Sequence, residues 1–250
     1  MLRIEDKNIN WEFNGVKILS ALNSSWTLLK LKKHITAHKV FIDENILSIN
    51  NCIIINEYTT LASLLGWTKS SQFLKNLVLA FDANSIVNND KLEDFLKIMN
   101  NDSKDLINFN NDPIDLIIKN FQINKELRID ETNLKKVLDC YKQSNKKLTI
   151  IISNCSWFKF NLIKNYFSFF YFIIITNSLT YIGINSSELE ECVAIQNYKG
   201  DWYEVLDVGK LILYVEKESN SIFNSEKLNK YLSSNLFDNY EITAILRKIF

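Results

Sequence analysis

Ser20-Ala21-Leu22-Asn23-Ser24-Ser25-Trp26-Thr27 stands where an apolar run (Val16, Ile18, Leu19) gives way to a helical spacing of Leu28, Leu31 and Ile35. That is the strand, turn and helix of a phosphate-binding loop, whose pattern is G-x-x-x-x-G-K-[ST]. Only Thr27 keeps its type. Ser20 and Ser25 replace the glycines, and Trp26 replaces the lysine. Without glycine the backbone cannot easily approach a phosphate, and without lysine nothing neutralises its charge. The sequence thus suggests an NTPase fold without the NTPase, against the plainer reading of an ordinary strand-turn-helix.

Other chemistries fare worse. The five glycines (15, 66, 183, 200 and 209) form no dinucleotide fingerprint, and no G-x-S-x-G elbow occurs. His34 and His38 could share a helix face, but Ile35 follows His34 where a metalloprotease carries its glutamate base, and no further ligand is close in sequence. Glu190-Glu191 and Glu93-Asp94 read as solvated surface. Cys52, Cys140, Cys155 and Cys192 make no C-x-x-C pair and read as small buried hydrophobes of a reducing cytosol.

Charge is balanced overall, with 29 basic and 29 acidic residues, so a nucleic-acid partner needs a local patch. Two stretches offer one. Between Phe13 and Ile42 lie Lys17, Lys30, Lys32, Lys33 and Lys39, both histidines and no acid. Between Lys135 and Lys164 lie Lys135, Lys136, Lys142, Lys146, Lys147, Lys159 and Lys164 against Asp139 alone. Lys30 and Lys33 fall opposite Leu28, Leu31 and Ile35 on a helical wheel and should face solvent. Almost all the positive charge is lysine, which binds phosphate as a point charge and suits backbone contact over base readout. A solvated helix face is the competing reading of each stretch.

The elements that must position these residues divide into three parts. A chain of 250 residues, 47% hydrophobic and 23% charged, is long enough for one large or two small globular domains. Residues 1 to 58 suggest strands around one helix: Trp11 to Leu19, the loop and helix to about His38, then Val40 to Ile42 and Cys52 to Ile55. Residues 59 to 145 read as helical throughout. Leu61, Leu64, Leu65, Leu74, Leu77, Val78 and Phe81 keep helical spacing around Gly66. Later helices start at Asp90 with Glu93 (carrying Leu92, Phe95 and Leu96), at Asp112-Pro113 (Ile114, Ile117, Ile118 and Phe121) and at Asp130 (Leu134, Val137, Leu138 and Tyr141). Strand character returns at Leu148 to Ile152, followed by a helix over Trp157 to Phe167 and a strand over Phe169 to Ile175. Residues 188 to 250 add strands at Val193 to Gln196 and Leu211 to Val215 and helices at Ser225 to Leu236 and Tyr240 to Phe250. Residues 165 to 187 carry no charge, yet Thr176, Asn177, Ser178 and Thr180 interrupt them, so a buried strand is expected and not a membrane span. Arg3, Glu5, Asp6 and Lys7 leave no apolar leader, and a cytoplasmic protein is expected.

The architecture expected is an α/β head, residues 1-58 and 146-250, with a degenerate P-loop NTPase-like core, and an all-helical leg, residues 59-145, inserted between its halves. That layout, the loop at 20 to 27, and the run Asp130-Glu131-Thr132-Asn133-Leu134 leading through Lys146-Lys147-Leu148-Thr149-Ile150-Ile151-Ile152-Ser153-Asn154 into Phe169 to Ile175 resemble the CRISPR type II-A spacer-acquisition family often called Csn-two. The resemblance covers residues 1 to about 180. It implies a non-enzymatic protein forming a ring of four that encircles double-stranded DNA at free ends. Channel lysines would hold the DNA, here Lys30, Lys32, Lys33, Lys39, Lys135, Lys136, Lys142 and Lys146. The CRISPR integrase proteins and the type II effector nuclease would be its partners. It also implies calcium at acids near the last leg helix. Glu126, Asp130 and Glu131 remain there, while Lys119, Gln122, Asn124 and Lys125 stand where the family is more acidic, leaving few oxygen ligands for a hard cation. The alternative is a structural or regulatory subunit with a defunct NTPase fold that binds proteins and no DNA.

Overall fold

The structure, a computed structural model, describes residues 1–5, 9–66, 68–71, 74–75, 113–120, 124–142, 147–233 and 240–248. The chain divides into two compact units, Met1–Tyr58 with Lys146–Phe250, and Thr59–Asn145.

The first unit is built on β3 (Val16–Ser20), β6 (Cys52–Asn56), β7 (Leu148–Ser153), β8 (Phe170–Thr176), β9 (Val193–Gln196) and β10 (Trp202–Glu204), in the spatial order β10-β9-β3-β8-β7-β6. All neighbours are parallel except the β9–β10 hairpin pair. The uncharged run read as a buried strand is β8, which sits between β3 and β7 with Ile174 opposite both Ile18 and Ile152. Its residues are apolar on both faces because both faces are covered. One face carries Leu19, Ile151, Ile173, Ile175 and Ala194 into a core with Leu28, Leu31 and Ile35 of helix α1 (Ser24–Thr36). The same core takes Leu2 and Ile4 of β1 (Leu2–Ile4), Trp11 of β2 (Ile9–Trp11), and Val40 and Ile42 of β4 (Val40–Ile42). These three strands and β5 (Asn45–Ile46) form a separate antiparallel sheet, β2-β1-β4-β5. Each buried isoleucine stabilises the fold by roughly 1.5–3 kcal/mol, so the core is laid down mostly by these aliphatic rows.

The expected strand from Trp11 to Leu19 is two strands in different sheets. They part at Gly15, whose φ of 91° a side chain rarely adopts and where a Cβ would lie 3.3 Å from the Phe167 carbonyl oxygen. Two other expectations are corrected. Leu211 to Val215 is no strand but part of the helix Val208–Ser219. Asp207 caps it by accepting from the Lys210 N–H at 2.9 Å, and burial falls on Leu211 and Val215, four apart, while Leu213 is exposed. Trp157 to Phe167 is no α-helix but two short 3-10 turns, Phe160–Leu162 and Lys164–Tyr166. Phe158, Phe160, Leu162, Ile163 and Tyr166 are all buried there, a spacing that no single helix face provides, and neither turn has a side-chain cap.

After β8 the chain forms α5 (Ser186–Cys192), packed on β3 and β9, then α6 (Val208–Ser219), α7 (Ser225–Ser233) and α8 (Tyr240–Leu246). The Tyr231 and Thr243 hydroxyls lie 2.9 Å apart and tie α7 to α8, and the Tyr203 hydroxyl of β10 donates to the Leu246 carbonyl. The C-terminal segment is thus part of the first unit's fabric.

The second unit contains α2 (Leu61–Leu65), α3 (Pro113–Asn120) and α4 (Glu131–Tyr141). Thr60 and Ser63 form the capping box of α2, and Gly66, in the left-handed region at φ 54°, ends it. The helical spacing through Gly66 is therefore broken. Residues 59–61 pair with 127–129: Leu61 N–H donates to the Leu127 carbonyl at 2.7 Å, and Ile129 N–H to that of Thr59 at 2.9 Å. The reading of this unit as helical throughout lacks that pairing. Leu77, Val78 and Phe81, the start at Asp90 and Glu93 with Leu92, Phe95 and Leu96, and Asp112 and Phe121 lie outside the described residues.

Candidate functional site

In an open α/β sheet the ligand crevice lies outside the carboxyl ends of the strands, where neighbouring connections run to opposite sides. Here that place is flanked by β3, β8 and β9 and bounded by residues 20 to 27. Most of the loop's backbone donors have partners within the fold. Ala21 N–H donates to the Thr176 carbonyl at 2.8 Å, Leu22 N–H to Gln196 Oε1 at 3.1 Å, and Ser24 N–H to Asn177 Oδ1 at 2.8 Å. Asn23 caps α1 by accepting from the Trp26 N–H at 2.9 Å. A phosphate cradle needs such N–H groups unspent and convergent.

The carbonyls of the same strand ends are occupied as well, by a residue the sequence reading did not single out. Arg247, just past α8 and 4% exposed, donates from Nη1 to the carbonyls of Ser20 (2.5 Å) and Gln196 (2.7 Å). From Nη2 it donates to Ser20 Oγ (3.0 Å), the Ala21 carbonyl (3.0 Å) and the Asn177 carbonyl (3.1 Å). Burial pushes the guanidinium pKa below its ordinary value, but a group with so high a starting point stays charged. The crevice is therefore filled by a cation of the chain itself, held by neutral oxygens. Ser24 Oγ, at the first residue of α1, is buried without a hydrogen-bond partner among the described residues. Arginine is rare in this chain, and its rarity was the one signal that could have marked Arg247.

Of the four residues read as a degenerate loop, Ser20 is buried at the end of β3, Ser25 is exposed, Thr27 is half-buried, and Trp26 is 52% exposed. Lys30 Nζ lies 5.2 Å from the centroid of the Trp26 ring. Lys30 and Lys33 are exposed, on the side of α1 away from buried Leu28, Leu31 and Ile35, and Lys32 is half-exposed on the flank beside Leu28. None of the three is ion-paired among the described residues. Lys39 is half-buried after the helix ends. In the second unit, Lys135 pairs with Glu131 at 3.3 Å and Lys142 with Asp139 at 2.9 Å, while Lys136 is exposed. Lys146 lies outside the described residues.

Glu126, Asp130 and Glu131 are not brought into one ligand set. Asp130 Oδ1 caps α4 by accepting from the Asn133 N–H at 2.7 Å, Glu131 holds Lys135, and Glu126 sits in an exposed turn. Among the described residues no group of three His, Cys, Asp or Glu could hold a metal, so these side chains do not fit calcium as they stand. His34 and His38 are also separated: α1 ends at Thr36 and His38 has left-handed backbone at φ 59°.

Buried Lys17, 2% exposed, makes an ion pair with Glu204 and joins β3 to β10. It is structural and unavailable to a ligand. No described helix is long and apolar enough to cross a membrane.

No family model matches the sequence, and no curated protein matches it. Among solved structures, the crystal structure of Stu0660 of Streptococcus thermophilus is similar over 98% of this chain and 92% of its own, with a TM-score of 0.58 at 13% identity. At that identity the likeness is one of fold: a mixed α/β chain with a six-stranded, mainly parallel sheet and accompanying helices.

Proposed function

We propose that this chain is a non-catalytic protein that holds free ends of double-stranded DNA during CRISPR spacer acquisition, on a degenerate P-loop NTPase-like head. The observation that carries the reading is the pairing of a sealed crevice with an open basic face: Arg247 fills the strand ends, while Lys30, Lys32 and Lys33 have no acidic partner among the described residues. Numbering the five parallel strands in chain order from β3, their spatial order is 5-1-4-3-2, with the loop-bearing first strand between the last two. That order supports the P-loop ancestry, and committed loop donors support its loss of nucleotide chemistry. Lys30 and Lys33 on the exposed side of α1, with Lys32 at its flank, suit phosphate contact without base readout. The ring of four, the integrase and effector-nuclease partners and the use of Lys135, Lys136, Lys142 and Lys146 rest on the sequence resemblance.

Gel shifts on linear and closed circular duplex of one sequence, across a salt series, test this. Preferential binding to linear DNA with log affinity falling by about 0.9 per contacted phosphate against log salt is the expected result. No binding to either form at low salt would leave the protein-interaction subunit as the better account.

A further inference from the structure

A cavity of about 500 Å³ opens between α1, β2 and β10, within the first unit. That volume lies in the range of small-molecule sites. The cavity adjoins the sealed crevice, with which it shares Trp26, Thr27 and Gln196, but Arg247 is not among its walls. Trp11, Trp26 and Trp202 line it. Trp11 and Trp202 brace each other edge to face, with ring centroids 5.9 Å apart, which fixes both rings. Trp26 is more than half exposed at the first turn of α1, a position that no packing requirement explains.

Asn10, Thr27 and His34 also line the cavity, and its other polar groups divide into spent and unspent. Glu204 is neutralised by Lys17, and the Gln196 amide accepts from Leu22 and donates to the Gly200 carbonyl. The Asp201 carboxylate makes no ion pair or hydrogen bond among the described residues, and the Lys30 ammonium meets only the face of Trp26. A ligand with a flat aromatic body, an edge of N–H donors and an anion would match the tryptophans, the Asp201 carboxylate and the Lys30 ammonium together. A carboxylate only accepts, and its two oxygens match two adjacent donors. Among nucleobases, guanine alone presents adjacent ring and exocyclic N–H donors on one edge; adenine, cytosine and thymine place an acceptor beside the donor, which would face the carboxylate unfavourably.

We propose that this cavity binds one unpaired guanine nucleotide, its base stacked on the tryptophans, its donor edge on Asp201 and its phosphate at Lys30. The inference goes beyond the DNA-end reading and does not depend on it, because a free nucleotide and an unpaired terminal nucleotide of DNA offer the same groups.

The test is isothermal titration of the full chain with dGMP, dIMP and dAMP, then with a short duplex either blunt or bearing a single 3′ guanosine. Binding of dGMP should be stronger than that of dAMP by about tenfold or more, with dIMP, which lacks the exocyclic amine, in between. Asp201→Asn, at an exposed turn, should remove the preference for guanine, and Lys30→Met should weaken dGMP while leaving guanosine unchanged. Trp26→Ala should weaken all of them, with circular dichroism confirming that the variants stay folded. A Trp26-dependent gain for the overhang duplex over the blunt one assigns the site to DNA termini; equal binding of the two duplexes beside tight dGMP assigns it to the free nucleotide. Absence of heat with dGMP to millimolar concentration, or equal affinity for dGMP and dAMP unchanged in Asp201→Asn, would overturn the proposal. Failure of the linear-DNA gel shift would leave it standing, so the two readings fail separately.

Discussion

Arg247 and Ser20, 227 positions apart, are joined twice: one guanidinium nitrogen donates to the Ser20 carbonyl and the other to its hydroxyl at 3.0 Å. The contact closes the far end of the chain onto the strand that begins the central sheet. It also places a fixed positive charge at the carboxyl ends of β3 and β9.

Removing that guanidinium should weaken the whole first unit. Arg247→Met leaves the carbonyls of Ser20, Ala21, Gln196 and Asn177 short of donors in a buried place. A loss of about 2–4 kcal/mol is expected from urea denaturation. Arg247→Lys keeps the charge but not the planar fork and should fall between the two.

The Lys17–Glu204 pair should show strong coupling. Lys17 is 2% and Glu204 14% exposed, so Lys17→Met strands a largely buried carboxylate at a cost of about 3–5 kcal/mol. The double change Lys17→Met with Glu204→Gln should recover much of that, which a double-mutant cycle in urea reads directly.

If α1 meets the DNA backbone, Lys30→Ala with Lys33→Ala should reduce the slope of log affinity against log salt by about 2 per chain, because each phosphate contact contributes about 0.9. The reduction should be the same for unrelated DNA sequences. An unchanged slope would move the interface off this helix.

Alkaline pH should destabilise the protein. Burial pushes the thiols of Cys52, Cys155 and Cys192 up to about 12 from 9.0, and it also raises the phenol of Tyr203. A folded-state pKa above the unfolded one gives stability that is complete below the unfolded pKa and lost as pH rises through the folded one. The melting temperature should therefore hold to about pH 9 and fall progressively toward pH 12. In a Cys52→Ser, Cys140→Ser background the two buried thiols, Cys155 and Cys192, should react with a disulfide reagent at pH 8 only as fast as the protein unfolds.

Local order was legible where local physics decides it. The apolar runs of β3, β7 and β8, the core face of α1 and the Asp130 cap of α4 follow from side-chain period and capping chemistry, which neighbours in sequence suffice to express. Leu211 to Val215 shows where this stops: a run apolar at every position fits strand or helix, and packing of Leu211 and Val215 with the Asp207 cap chose helix. The basic, acid-free character of residues 13 to 42 is likewise a property of the sequence, as is the absence of glycine and lysine from residues 20 to 27. Only the tertiary structure decided that Arg247 would fill the crevice, that Lys17 would be spent on Glu204, and that Trp11, Trp26 and Trp202 would line one cavity. Each of these joins residues tens to hundreds of positions apart. Such contacts depend on how strands are ordered in the sheet, and no spacing along the chain encodes that order.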